Sequence, residues 1–167
     1  MKNKKKTGFS PSVQSALDKS AVNYQSQLNR LVDQGLWSQV ESLLISHRTG
    51  KKAQINEINA LFNQALCASR EGQLKDAALL HCRLLAIDPK HADGLRNGSV
   101  VMRWLGALAM SHHWCIRYLE IRPDCSNGLN TYGTILNDMG KQRDALIAYE
   151  KALKINPDFG EVHSNLA

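Results

Sequence analysis

Residues 126–159 run SNGLNTYGTILNDMGKQRDALIAYEKALKINPDF, and this stretch decides the fold. Gly140 divides it into two apolar patterns of helical spacing. In the second pattern Ala145, Ala148, Tyr149, Ala152 and Leu153 stand at i, i+3, i+4, i+7 and i+8, which is one face of an α-helix. Gly140 occupies the place where a left-handed cap ends the first helix, and Pro157 closes the second. Strands have no support, because β-branched alternation is absent almost everywhere.

Stepping back from this unit by 34 residues recovers it, and a second step recovers it again. Gly72, Gly106 and Gly140 share that period, as do Pro89, Pro123 and Pro157. The same step relates Leu61, Leu95 and Leu129; Leu85, Leu119 and Leu153; Ile87, Ile121 and Ile155; and the small residues Ala77, Ser111 and Ala145. Two kinds of punctuation and four side-chain columns on one period predict repeated helix, turn, helix, stop units.

The unit resembles the tetratricopeptide repeat (TPR) family. Leu129, Tyr132, Gly133 and Leu136 reproduce the spacing W-x2-L-G-x2-Y, followed by Ala145, Tyr149 and Pro157 in the A-x3-F…P spacing. Earlier units depart from the motif. Gly98-Ser99 and Gln64-Ala65 stand where Leu-Gly is expected, and Cys115 and His81 replace the aromatic. The resemblance implies an all-α fold, a right-handed alpha-solenoid of stacked antiparallel helix hairpins, the TPR superhelix. Its units fall at residues 58–91, 92–125 and 126–159, with the start of a further, truncated unit at 160–167. Because Val162 and Leu166 would then lack a packing partner, the pattern implies a longer protein continuing beyond Ala167.

Upstream, residues 11–57 read as divergent capping helices. Two helices flank Gly35 with Leu28, Leu31, Val40, Leu43 and Leu44 as the apolar face, but Gly35 to Gly72 is longer than one period, the extra length falling in TGKKAQIN. Arrays need atypical end repeats, since an end repeat has one face toward water. Residues 1–10, MKNKKKTGFS, read as a basic disordered tail.

Charge and cysteines narrow the function. The formal net charge is +6, yet Lys2, Lys4, Lys5 and Lys6 supply most of it, so the body gives no case for nucleic acid. No apolar run is long enough for a membrane span, and no secretory signal is visible. Cys67, Cys82, Cys115 and Cys125 show no CxxC spacing, which makes reduced thiols and a cytoplasmic protein the default. His112, His113 and Cys115, and the pair His81 and Cys82, raise a metal site, but adjacent residues on a helix point about 100° apart and do not converge on one ion. No metal or cofactor is expected. Phosphate loops, nucleophile elbows and HExxH are absent, so no catalytic residue is named and the chain reads as a non-enzyme.

The expected function is binding of an extended peptide or partner protein in the concave groove that first helices line in TPR arrays. One groove column holds Asn63, Asn97, Thr131 and Asn165. Two readings of it stand open: hydrogen-bonded ties between neighbouring hairpins, or a ladder of amides that offers donor and acceptor to a peptide backbone. Asn59, Asn127, Arg96, Asn130, Arg103 and Trp104 lie beside the column as candidates for selectivity, with Asp93 and Phe62 near them. The Lys, Asn and Arg set with which TPR modules hold chaperone C-termini is not present. Arg96 and Asn97 are its remnants, while Phe62, Leu66 and Val100 stand where polar groups would be wanted. INPDFGEVHSNLA also resembles the arrays ahead of O-linked N-acetylglucosamine transferase-type glycosyltransferases and some sulfotransferases. On that alternative the chain is a substrate-recruiting segment whose catalytic domain lies outside it.

Overall fold

The structure, a computed structural model, describes residues 11–47 and 55–166. The basic tail, residues 1–10, and most of TGKKAQIN lie outside the described residues. The described residues form nine α-helices and no strand: α1 (Pro11–Asp33), α2 (Trp37–Ser46), α3 (Ile55–Arg70), α4 (Leu74–Ile87), α5 (Ala92–Trp104), α6 (Leu108–Ile121), α7 (Ser126–Asp138), α8 (Gln142–Ile155) and α9 (Gly160–Leu166).

The glycine column is explained by one backbone requirement. Gly35, Gly72, Gly106 and Gly140 all have φ between 69° and 75°, a left-handed conformation that costs L side chains about 1–2 kcal/mol. The residue after each glycine donates its N–H five residues back. Leu36 to Leu31, Gln73 to Ala68, Ala107 to Met102 and Lys141 to Leu136 each measure 2.9 Å. These are Schellman closures, and they reverse the chain so that the next helix folds back along the last.

Helices pair within hairpins as α3 with α4, α5 with α6 and α7 with α8, and the hairpins stack through α4 on α5, α6 on α7 and α8 on α9. Leu85, Leu95 and Ala145 are buried as the columns require, and Leu129 is nearly so. Repeats two and three fill the same space differently. In the third, Tyr132 stands on α7 opposite Ala148 on α8. In the second, the corresponding positions are Gly98 and Trp114, so the bulk has moved from the first helix to the second. A Cβ on Gly98 would lie 2.7 Å from the Trp114 ring, and one on Gly133 would lie 2.5 Å from the Tyr149 ring. Each glycine is therefore the seat of a buried ring. The third member of the Cys115 and Tyr149 column, His81, is fully buried, and among the described residues neither of its ring nitrogens has a hydrogen-bond partner.

The N-terminal hairpin takes a different seat from the others. α2 packs on α4 and makes no extended contact with α3, whereas every later second helix packs on the first helix that follows it. Trp37, Val40 and Leu44 join a core cluster with Ala78, Cys82 and Leu85 of α4 and with Met110 and Trp114 of α6. Glu41 then reaches α6, accepting from the Trp114 indole N–H at 3.2 Å and from the Arg117 guanidinium at 3.2 Å. A buried indole N–H needs an acceptor, and here a carboxylate from another hairpin supplies it. Arg117 also donates to the Pro89 carbonyl at 2.9 Å.

Candidate peptide-binding groove

The second helices carry α2, and the first helices α3, α5, α7 and α9 lie side by side on the other face. Between α5, α7 and α9 is a recess of about 350 Å³. Its apolar contribution is Val100; Thr131 and Thr134 line it from α7, and Ser164 and Asn165 from α9. Arg103 forms one wall, ion-paired with Asp138 across the α5 to α7 step.

Asn130, on α7, is buried because two partners on α9 close over it. Its amide nitrogen donates to Glu161 Oε2 at 3.2 Å, and its oxygen accepts from Asn165 Nδ2 at 2.9 Å. Glu161 and Asn165 are one helical turn apart, so both reach the same point on α7. For Asn165, then, the tie between neighbouring hairpins is the arrangement found. Thr131 and Thr134 bond back to their own helix, to the carbonyls of Asn127 at 3.0 Å and Asn130 at 2.9 Å. Thr134 Oγ1 also accepts from the Tyr149 hydroxyl at 3.4 Å, so of the two it is Thr131 whose oxygen has no donor among the described residues.

Earlier in the column the environment changes. Asn63 is exposed and Asn97 half-buried, and neither side chain hydrogen-bonds to a described residue. By the repeat step they occupy on α3 and α5 the places that Thr131 and Asn165 take beside the recess. Asn59 on α3 and Asn127 at the start of α7 are exposed, while Arg96 and Asp93 are half-buried on α5. Phe62 is engaged by the His91 ring at 5.2 Å. Trp104 ends α5 and is 56% exposed, outside the core and not part of the recess lining. The structure thus brings Arg103, Asn130, Thr131 and Asn165 together around one recess. Asn59, Asn63, Arg96, Asn97, Asn127 and Trp104 do not line it. Thr134, Asp138, Glu161 and Ser164 belong to the site without having been singled out by the period. For Asp138 and Glu161 the signal is a step of 35 or 31 residues rather than 34, because side chains that touch across stacked helices are displaced along the helix from those that are equivalent.

The recess offers amides, hydroxyls, a guanidinium and the Glu161 carboxylate, which are groups that donate and accept hydrogen bonds. Among the described residues no helix is long and apolar enough to cross a membrane.

No family model matches the chain. A stretch of 88 residues is 31% identical to the human protein O-mannosyl-transferase TMTC3, covering 51% of this chain and 10% of that protein. The chain therefore spans about a tenth of the curated relative that it matches. Among solved structures, the first TPR of Spaghetti (RPAP3) bound to HSP90 peptide SRMEEVD superposes with a TM-score of 0.65 at 16% identity, covering 70% of this chain and 93% of that one. MamA from Desulfovibrio magneticus RS-1 gives 0.64 at 14% identity over 87% of this chain and 81% of that one. An O-GlcNAc transferase of Thermobaculum terrenum gives 0.61 at 23% identity over 65% of this chain and 21% of that one. The chain has the TPR fold, an all-α solenoid.

Proposed function

We propose that the chain is a protein-interaction module whose first-helix groove holds an extended peptide, with Asn63, Asn97 and Thr131 contacting its backbone. The observation that carries this reading is the contrast within one column. Asn165 is committed to Asn130, whereas the side chains of Asn63 and Asn97 have no partner among the described residues. An amide on the groove face with both its donor and its acceptor unused suits a peptide group, which presents one of each. Arg96, which forms no ion pair among the described residues, adds selectivity for a carboxylate in the peptide, whereas Arg103 is already paired with Asp138. The peptide in the Spaghetti complex lends this reading support by likeness of fold.

The test is a peptide selected by display on the intact chain and titrated by calorimetry. Changing Asn63 and Asn97 together to Ala should weaken it by about 1–3 kcal/mol with helical content intact, since each neutral hydrogen bond contributes only about 0.5–1.5 kcal/mol. Unchanged affinity in a double variant that has lost stability would sink the proposal, because the amides would then be structural.

A second reading has its own observation in the likeness to an O-mannosyl-transferase and to an O-GlcNAc transferase. On it the same groove recruits substrate polypeptide to a glycosyltransferase domain elsewhere in the polypeptide. The reading frame surrounding this sequence decides between the two: a transferase domain in it supports recruitment, and its absence leaves the scaffold.

A further inference from the structure

We infer that the opposite face of the array, the groove between α6 and α8, is a docking site for an amphipathic helix of a partner protein. The helix carries a bulky aromatic residue and, one turn later, a carboxylate. The repeat step supplies the reasoning. α2 packs on the second helix α4 and reaches α6 through side chains: Met110 and His113 face it across a cleft, and Trp114 and Arg117 bond to its Glu41. One step on, these four positions become Asp144, Ile147, Ala148 and Lys151 of α8. All four line a single recess of about 370 Å³, together with apolar residues that include Leu119, Leu129 and Tyr132. The α6 side of the seat that accepts α2 therefore recurs one repeat later on α8, with Leu119 in the place of Leu85, and among the described residues no helix covers it.

Two features of the seats define the occupant. In the first seat Trp37 of α2 packs beside Trp114, and in the second Tyr132 takes over the bulk of Trp114 without closing the recess, so the occupant brings the counterpart of Trp37. Lys151 replaces Arg117 and forms no ion pair among the described residues, so it awaits the carboxylate that Glu41 gives Arg117. Trp37 and Glu41, four residues apart on α2, show the pattern. Orientation follows as well. The start of α2 lies beside the start of α6, near Met110. An occupant running the same way places its helix N-terminus, the positive end of its dipole, beside Asp144. Ile147, 51% exposed, is the apolar wall that this helix would cover.

A synthetic, acetylated peptide of residues 35–47, labelled with fluorescein and held helical by a hydrocarbon staple on its outer face, serves as the probe for fluorescence anisotropy with the intact chain. Ile147→Asp should weaken binding by about tenfold or more, because it sets a charge against the covered apolar face. Lys151→Glu should weaken it by about three- to tenfold, and a peptide carrying Glu41→Lys should recover the loss. A Trp37→Ala peptide should fail on the unaltered protein, an outcome independent of any protein variant's folding. The double change Asn63→Ala and Asn97→Ala should leave binding unaltered, which separates this site from the first-helix groove.

Several results would overturn the inference. One is no binding at millimolar peptide. Another is binding lost on Arg117→Glu but kept on Lys151→Glu, which would mean that the peptide displaces the resident α2. A third is concentration-dependent dimerisation of the chain, abolished by Ile147→Asp, which would make a second copy the occupant.

Discussion

Repeats two and three share a period and differ in where their bulk sits. In the second, Trp114 on the second helix fills the space over Gly98. In the third, Tyr132 on the first helix faces Ala148, and Tyr149 fills the space over Gly133. Close packing constrains the volume of a layer more strongly than which helix supplies it. Polarity does not exchange so freely, because the indole N–H of Trp114 requires an acceptor and the Ala148 site does not. The exchange therefore links repeat two to Glu41 of α2 and leaves repeat three open on the same side.

The largest effect should come from Trp114→Ala. It removes a fully buried ring and strips Glu41 of one donor, and should cost about 3–5 kcal/mol in urea denaturation. The corresponding residue in repeat three is already Ala148, so adding Gly98→Tyr should restore part of the loss. Gly98→Tyr alone should destabilise. A coupling of about 1–3 kcal/mol in the cycle would establish that the two repeats are alternative fillings of one layer, whereas additive losses would break the comparison.

Next comes pH, through the column occupied by His81, Cys115 and Tyr149. Burial, with a smaller contribution from the nearby His91, pushes the His81 imidazole down from 6.5 to about 4. Between those values the unfolded chain binds a proton that the folded chain does not. This contribution is therefore complete above about pH 6.5 and declines as the pH falls toward 4, by about 3 kcal/mol at most. His81→Leu should remove that slope between pH 6.5 and 4 in parallel denaturation series. An unchanged slope would assign the acid sensitivity to carboxylates instead.

The smallest effect belongs to the junction between the two repeats. Arg103 and Asp138 are each about a third exposed, so a double-mutant cycle on the pair should give about 0.2–1 kcal/mol, shrinking with salt. A larger coupling would mean that the groove wall is a structural clamp.

The fold was legible because its determinants are local. A glycine that must adopt positive φ and a proline that must end a helix mark the chain at fixed intervals, whatever fills the core between them. The seat of α2 was not legible. Nothing in the Leu28 to Leu44 pattern distinguishes a hairpin stacked in line on α3 from one laid against α4 and α6. Trp114, a large ring beside Gly98 with an N–H to satisfy, was the signal, and it lies in a different repeat from the residue that answers it. The Asn column was visible for the same reason as the glycines. Its division into a tied Asn165 and unpartnered Asn63 and Asn97 was not, since Asn130 and Glu161, which complete the tie, lie off the 34-residue period.

Glu41 also alters how the molecule should come apart. In a linear array each unit touches only its neighbours, so ends can fray one hairpin at a time and hydrogen exchange grades smoothly inward. The bonds of Glu41 to Trp114 and Arg117 join residues 73 and 76 apart in the chain, skipping over α3 and α4 to reach the second repeat. Such a brace raises the contact order of the N-terminal half and couples opening of the first repeat to release of α2. Amides of α2, α4 and α6 should then exchange as one cooperative block, separate from those of α8, to which no such strut runs among the described residues.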